Sequence, residues 1–150
     1  MAQITRIILH CSDSPDNLSL GVAEIRAWHT AAPPQGRGWR EIGYHYVVRR
    51  DGTVEVGRYE NGDSVLEGAE IGAHTSGHNG DTLGICWVGR DRIEPVQRAA
   101  LLKLLHHLMA LHGVAVDDVV GHSELNPGKT CPRLDMNALR EALRGLAGAV

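Results

Sequence analysis

The chain has no block of Lys or Arg: its 15 basic residues are scattered among 18 acidic ones, and the net charge is −3. The basic footprint with which proteins grip a phosphate backbone is missing, so nucleic acid is not an expected partner. No segment approaches the roughly 20 consecutive apolar residues of a membrane span, and no membrane partner is expected either. The start, Met1-Ala2-Gln3-Ile4-Thr5-Arg6, lacks the basic stretch and apolar run of a secretory signal. The chain is therefore expected to be cytoplasmic at synthesis and to need a separate release route for any target outside. Cysteine is scarce and odd in number, with residues at 11, 86 and 131. That excludes a disulfide framework and leaves the thiols free or available to a metal. No repeat, linker or low-complexity tract divides the sequence, and its 43% apolar content suits a single domain spanning 1–150. A chain of this length buries roughly 70% of its unfolded surface without help from cross-links, and a monomer is expected.

What is present reads as alternating strands and helices. Ile4 to Leu9 is β-branched and apolar and runs into His10-Cys11-Ser12, which marks a buried strand. Gly21 to Ala32 has helical spacing, with Val22, Ile25, His29 and Ala32 recurring and Ser19 as the candidate N-cap. Pro33-Pro34-Gln35-Gly36-Arg37-Gly38 breaks it and predicts a flexible rim. Gly43 to Arg49 and Thr53 to Val56 flank Arg50-Asp51-Gly52, a hairpin signal. Residues 57–82 hold six glycines and little periodicity, which predicts a long surface loop of the kind that carries function. Leu83 to Val88 is a second buried strand. Pro95 to His112 is the longest helix, with Pro95 in its first turn and Gly113 at its stop. Val114 to Val120 contains a short strand, and Leu134 to Leu146 closes with a helix. The fold class is α/β, a central mixed β-sheet flanked by helices.

Nine histidines cannot all be functional. His106 and His107 fall on the polar stripe of the long helix, His112 reads as a cation near that helix's negative end, and His29 reads as a helix-face residue. His10 at a strand end, His122 on a loop and Cys131 nine residues beyond it form a different pattern. Two imidazoles and a thiolate are donors that zinc favours, and three such ligands leave a fourth position for water, the mark of a catalytic site. By spacing alone, a metal site and an inert packed thiol remain equally open. Cys11 and Cys86 are expected to be core thiols, Cys11 pointing away from the ligands. Tyr44 and His45 should face opposite sides of their strand, and packing within the sheet is the lesser alternative reading for Tyr44.

Eight separated runs add a family resemblance: His10-Cys11-Ser12, Glu24 to His29, Gly43-Tyr44-His45-Tyr46, Arg50 to Glu55, Gly72-Ala73-His74, His78-Asn79, Leu83-Gly84-Ile85-Cys86, and Gly121-His122 through Cys131-Pro132. In this order they resemble the zinc-dependent N-acetylmuramoyl-L-alanine amidases of type 2, most closely the single-domain phage endolysins, across nearly the whole chain. The resemblance implies a fold shared with peptidoglycan-recognition proteins and hydrolysis of the amide between N-acetylmuramic acid and L-alanine in peptidoglycan after release to the wall. It also implies Zn²⁺ held by His10, His122 and Cys131, with Tyr44 and Lys129 as catalytic side chains that do not bind the metal. In those roles the Lys129 ammonium stabilises charge developing on the carbonyl oxygen. Tyr44 either holds the attacking water or passes a proton to the leaving amine. His74, beside Gly72, is expected on the cleft wall as a substrate contact. The stretch from Arg58 to Gly72, with Glu60, Asp63, Glu67 and Glu70, is longer and more acidic than in compact phage enzymes, a candidate either to restrict or to select the stem peptide, with its role left open by the sequence. Two alternatives share the fold. Cytoplasmic amidases that recycle muropeptides generally use a carboxylate as third ligand, and many animal recognition proteins lack the thiolate and bind without cutting; Cys131 weighs against both.

Overall fold

The computed structural model describes residues 1–148. Its centre is a pair of six-residue strands, β2 (Arg6–Cys11) and β6 (Thr82–Trp87), preceded in the chain by the two-residue β1 (Ala2–Gln3). Around them lie β3 (Tyr46–Val48), β4 (Val54–Val56) and β7 (Val119–Gly121), giving a five-stranded sheet in the order β4-β3-β6-β2-β7. β2 runs parallel to both β6 and β7, β3 runs parallel to β6, and β4 closes the edge antiparallel to β3. Parallel strands have to be covered on both faces. Accordingly every residue of β6 is buried, as is β2 from Ile7 onward.

The two faces are covered unequally. On one, α2 (Pro95–His112) and α4 (Met136–Gly148) set Leu101, Leu105, Leu108, Leu139 and Leu143 against Ile7, Leu9, Val48, Leu83 and Ile85. On the other, the nine-residue α1 (Val22–Thr30) joins Ile42, Val47, Cys86 and Val88 in a smaller cluster through Val22 and Ile25. Side chains alternate along β2, so Ile7 and Leu9 enter the large core and His10 points to the thinly covered side.

The long helix, the hairpin, the two buried strands and the closing helix form where the sequence predicts them. Gly113 ends α2 in the left-handed conformation, φ 67°, and Gly52 takes φ 88° in the hairpin turn. Other expectations need correction. Ser19 does not cap α1. Gly21 is the cap, because the Gly21 and Val22 N–H groups are taken by the carboxylates of Glu24 (2.9 Å) and Glu55 (3.0 Å), and a Cβ on Gly21 would collide with Glu55. Residues 57–82 are not one surface loop. β5 (Val65–Leu66) pairs antiparallel with β1, a 3₁₀ turn follows at Gly68–Glu70, and Leu66, Glu70, His74 and Thr75 are buried. His112 is no exposed cation: the chain around Ser64 covers it, Ser64 Oγ hydrogen-bonds its Nδ1 at 2.9 Å, and burial holds its pKa below the usual value. The short strand expected within 114–120 is present as Val119–Gly121, which runs one residue past that stretch and follows a 3₁₀ turn at Val116–Asp118. Among the described residues, no helix is long and apolar enough to cross a membrane.

The packing of α2 yields a direct comparison. Leu105→Ala, at a position of 0% exposure, is expected to lower unfolding free energy by about 2–5 kcal/mol. His107→Ala, on the solvent face of the same helix, should change it by less than about 0.5 kcal/mol. Urea titrations of the two variants beside the parent check both.

Candidate active site

A cleft of about 650 Å³ opens on the α1 side of the sheet, and His10, His122, Cys131, Tyr44 and Lys129 all line it. Parallel pairing brings the two imidazoles together. Leu9 of β2 is in register with Gly121 of β7, so the next residues, His10 and His122, leave neighbouring strand ends side by side with ring centroids 4.6 Å apart. His122 starts the four-residue α3 (His122–Leu125), whose first turn is closed by the Gly121 N–H donating to Glu124 Oε1 at 2.8 Å. Arg140 of α4 holds that carboxylate with both terminal guanidinium nitrogens, at 2.8 and 2.9 Å.

The loop after α3 returns Cys131 to the pair. Ser123 N–H donates to Cys131 O at 2.9 Å, and the buried Trp87 indole N–H donates to Pro132 O at 2.8 Å. Pro132 packs where a Cβ on Gly121 would stand, which is why glycine precedes His122. The Cys131 sulfur lies 3.3 Å from His122 Nδ1 and 3.6 Å from His10 Nδ1, and the three ligand atoms fall within 4.8 Å of one another. Tetrahedral zinc with bonds of about 2.05 Å to nitrogen and 2.3 Å to sulfur separates such donors by about 3.6 Å. The donor set fits the metal in type and in spacing.

Electrostatics favour the forms that bind metal. Burial, reinforced by the neighbouring imidazoles, holds His10 well below the ordinary histidine range, and burial followed by the Lys129 charge lowers His122. Neutral imidazoles keep a lone pair. Cys11 does not point clear of the site, because the loop carrying Cys131 wraps over the end of β2 and brings the two thiols together. Interaction between the Cys11 and Cys131 thiols lowers the Cys131 pKa and raises that of Cys11. Cys86 stays in the core as expected, and burial pushes its thiol up.

Tyr44 packs between a metal-ligand candidate and a second imidazole, its ring 5.1 Å from His10 and 5.4 Å from His29. Burial raises its hydroxyl well above the ordinary phenol range, so it remains an O–H donor. His45 turns away, as expected from strand alternation, accepting from Gly84 N–H and donating to Glu70 O at 2.7 Å. Lys129 is exposed at the cleft mouth. His74 reaches the cleft as floor more than wall: it is 7% exposed, and its Nδ1 lies 3.0 Å from His10 Nε2. His29 does belong to the cleft, against the helix-face reading. Gly43 N–H donates to its Nδ1 at 2.9 Å, and burial lowers its pKa to about 4. Helical spacing could not separate a core position from one at the edge of an opening.

The same limitation hid Trp28, while Arg37 and Trp39 lie on the irregular segment after α1; the three form the cleft rim, with the Arg37 guanidinium 5.0 Å from the Trp39 ring. Glu60, Asp63, Glu67 and Glu70 do not line this cleft. Glu60 and Glu70 accept the backbone N–H groups of Gly62 (2.7 Å) and Asn61 (2.8 Å) and so fold their own segment.

These buried imidazoles predict a pH dependence. His29, His45, His74 and His112 all have folded-state pKa values below the ordinary 6.5, with burial the largest cause, His29 at about 4 and His74 at about 3. Below pH 6.5 the unfolded chain binds more protons than the folded one, so stability rises with pH across that window and is lost as pH falls toward 4 and 3. Urea midpoints of metal-free protein should therefore drop between pH 7 and pH 4; a flat profile would contradict the buried neutral imidazoles.

Comparison with known proteins is consistent along the chain. The sequence profile of the family described as N-acetylmuramoyl-L-alanine amidase matches residues 1–134. The endolysin of Escherichia phage T7 is 36% identical over 138 residues, covering 87% of this chain and 81% of its own length. That of Enterobacteria phage K11 is 34% identical over 142 residues, covering 89% and 83%. Among solved structures, the N-acetylmuramoyl-L-alanine amidase LysC from Clostridium intestinale URNW superposes with a TM-score of 0.78 at 25% identity, covering 95% of this chain and 86% of that one. With a family match over residues 1–134 and relatives above 30% identity along most of its length, this chain belongs to the N-acetylmuramoyl-L-alanine amidase family.

Proposed function

We propose that this chain is a phage-type endolysin that hydrolyses the amide between N-acetylmuramic acid and L-alanine in peptidoglycan, using Zn²⁺ held by His10, His122 and Cys131. The observation that carries the reading is the convergence of two imidazole Nδ1 atoms and a thiol in one cleft with Tyr44 and Lys129. Family membership and the endolysin relatives support the choice of bond. The thiolate favours cutting over binding alone, since it completes a three-ligand set and leaves a position for water. It equally favours a lytic enzyme over a recycling one with a carboxylate ligand. The site of action is the cell wall, reached after release.

When bound, zinc lowers the pKa of a water to about 7 and polarises a carbonyl oxygen, which suits amide hydrolysis at neutral pH. The protein's own groups do the rest. Lys129, on a flexible stem at the cleft mouth, brings its ammonium to the carbonyl oxygen as charge accumulates there. Tyr44, held protonated by burial, donates a hydrogen bond and does not act as a base. The Cys11 thiol lowers the pKa of Cys131, which favours the thiolate that a metal takes. The rim of Trp28, Arg37 and Trp39 offers flat apolar surface to the glycan and peptide.

Incubation with purified peptidoglycan should release new L-alanine N-termini. Treatment with a strong chelator should abolish that release, added Zn²⁺ should restore it, and Cys131→Ser should prevent the restoration. Activity that survives both chelator and Cys131→Ser excludes zinc, and capture by cell walls without any new N-termini excludes the hydrolase. Lys129→Ala is expected to lower kcat by about 10²- to 10³-fold with a smaller effect on KM, as for loss of one transition-state donor.

A further inference from the structure

Both ring nitrogens of His74 lie against groups whose hydrogen-bonding roles can be worked out. Its Nε2 lies 3.4 Å from the backbone oxygen of Thr82 and 3.4 Å from Thr82 Oγ1. The carbonyl can only accept, and the Thr82 hydroxyl already spends its proton on His78 O. Nε2 therefore carries the His74 proton, and Nδ1 is left with a lone pair. That lone pair faces His10 Nε2 at 3.0 Å, with Thr75 Oγ1 3.0 Å from one nitrogen and 3.2 Å from the other. Two lone pairs at that distance would repel, so His10 Nε2 must carry a proton and donate it. His10 Nδ1 is then left unprotonated, and it is the nitrogen 3.6 Å from the Cys131 sulfur.

The ring is also held in place sterically. It lies flat on β6 at Gly84, where any Cβ would run into its Cγ, Cδ2 and Nδ1. The side-chain oxygen of Asn79 accepts the backbone N–H groups of His74 and Thr75, both at 2.9 Å, which fixes the turn that presents them. A glycine inside a fully buried strand has its explanation in this contact.

We propose that His74 is a positioning residue for the metal centre: the relay from Thr82 O through His74 sets the tautomer and ring orientation of His10, so that His10 Nδ1 is presented to the ion. This rests on the zinc reading above and goes beyond it, and it replaces the role of substrate contact for His74. An outer partner of this kind raises the basicity of a ligating imidazole, and its loss typically weakens metal affinity about 10- to 100-fold.

The test compares the parent with His74→Ala, His74→Gln and Gly84→Ala, each checked for folding by circular dichroism. Zn²⁺ affinity is measured by competition with a chromogenic chelator, and the tautomer of His10 by long-range ¹⁵N NMR of its ring. His74→Ala should weaken Zn²⁺ binding about 10- to 100-fold. His74→Gln, whose Oε1 can accept the His10 proton, should recover most of that loss. Gly84→Ala should weaken binding with every polar group retained, and it carries the comparison with His74→Gln if His74→Ala does not fold. The parent should show His10 protonated on Nε2. If the parent binds Zn²⁺ stoichiometrically while the His74 variants match it in affinity and raise only KM, His74 is a substrate contact and the proposal is overturned. If the parent itself fails to bind Zn²⁺, the metal reading falls and this one with it.

Discussion

Parallel pairing of β2 with β7 is the constraint on which the rest of this protein hangs. With Leu9 opposite Gly121, the residue after each pair is a histidine, and the two are delivered to the same point by backbone hydrogen bonds, independently of any metal. A slip of one residue would turn His10 into the leucine-filled core beneath α2 and α4. The large core therefore protects the site it never touches, because Ile7 and Leu9 enforce the register that aims His10 the other way.

Unequal coverage of the sheet gives the cleft its chemistry. Two helices seal one face, while a single nine-residue helix leaves part of the other open. Side chains there are buried deeply enough to lose their charge yet remain next to solvent. Burial keeps His10, His29 and His74 neutral and Tyr44 protonated, and the cost of placing so many polar groups in a poor dielectric is offset by a bond at nearly every nitrogen. The segment 57–75 contributes through its backbone. Glu70 O takes the His45 proton and Gly43 O takes the Ala73 N–H, binding this irregular stretch to β3 and its approach.

Legibility in the sequence followed the length of each element. α2 was readable to the residue, because eighteen positions carry a strong apolar pattern between Pro95 and Gly113. β1 and β5 were not, since two residues cannot show a period and their pairing joins positions more than sixty apart. Ser19 was a reasonable cap on local grounds, but Glu55, brought in by the hairpin, competes for the same helix end. His112 looked like a surface cation because nothing in its own helix reveals that Ser64 lies over it.

The sequence by itself determined the class of the fold, the grouping of His10, His122 and Cys131 as candidate metal ligands, and the family to which the chain belongs, because residue type and order survive in one dimension. The tertiary structure alone decided that Cys11 meets Cys131, that His29 enters the cleft, that the acidic residues of the 57–75 segment do not line it, and that the His74 imidazole lies within hydrogen-bond distance of His10. Each of those depends on a contact between distant segments, such as the Cys131 loop wrapping the end of β2 or an imidazole lying on Gly84, and side-chain spacing within one segment carries no trace of it.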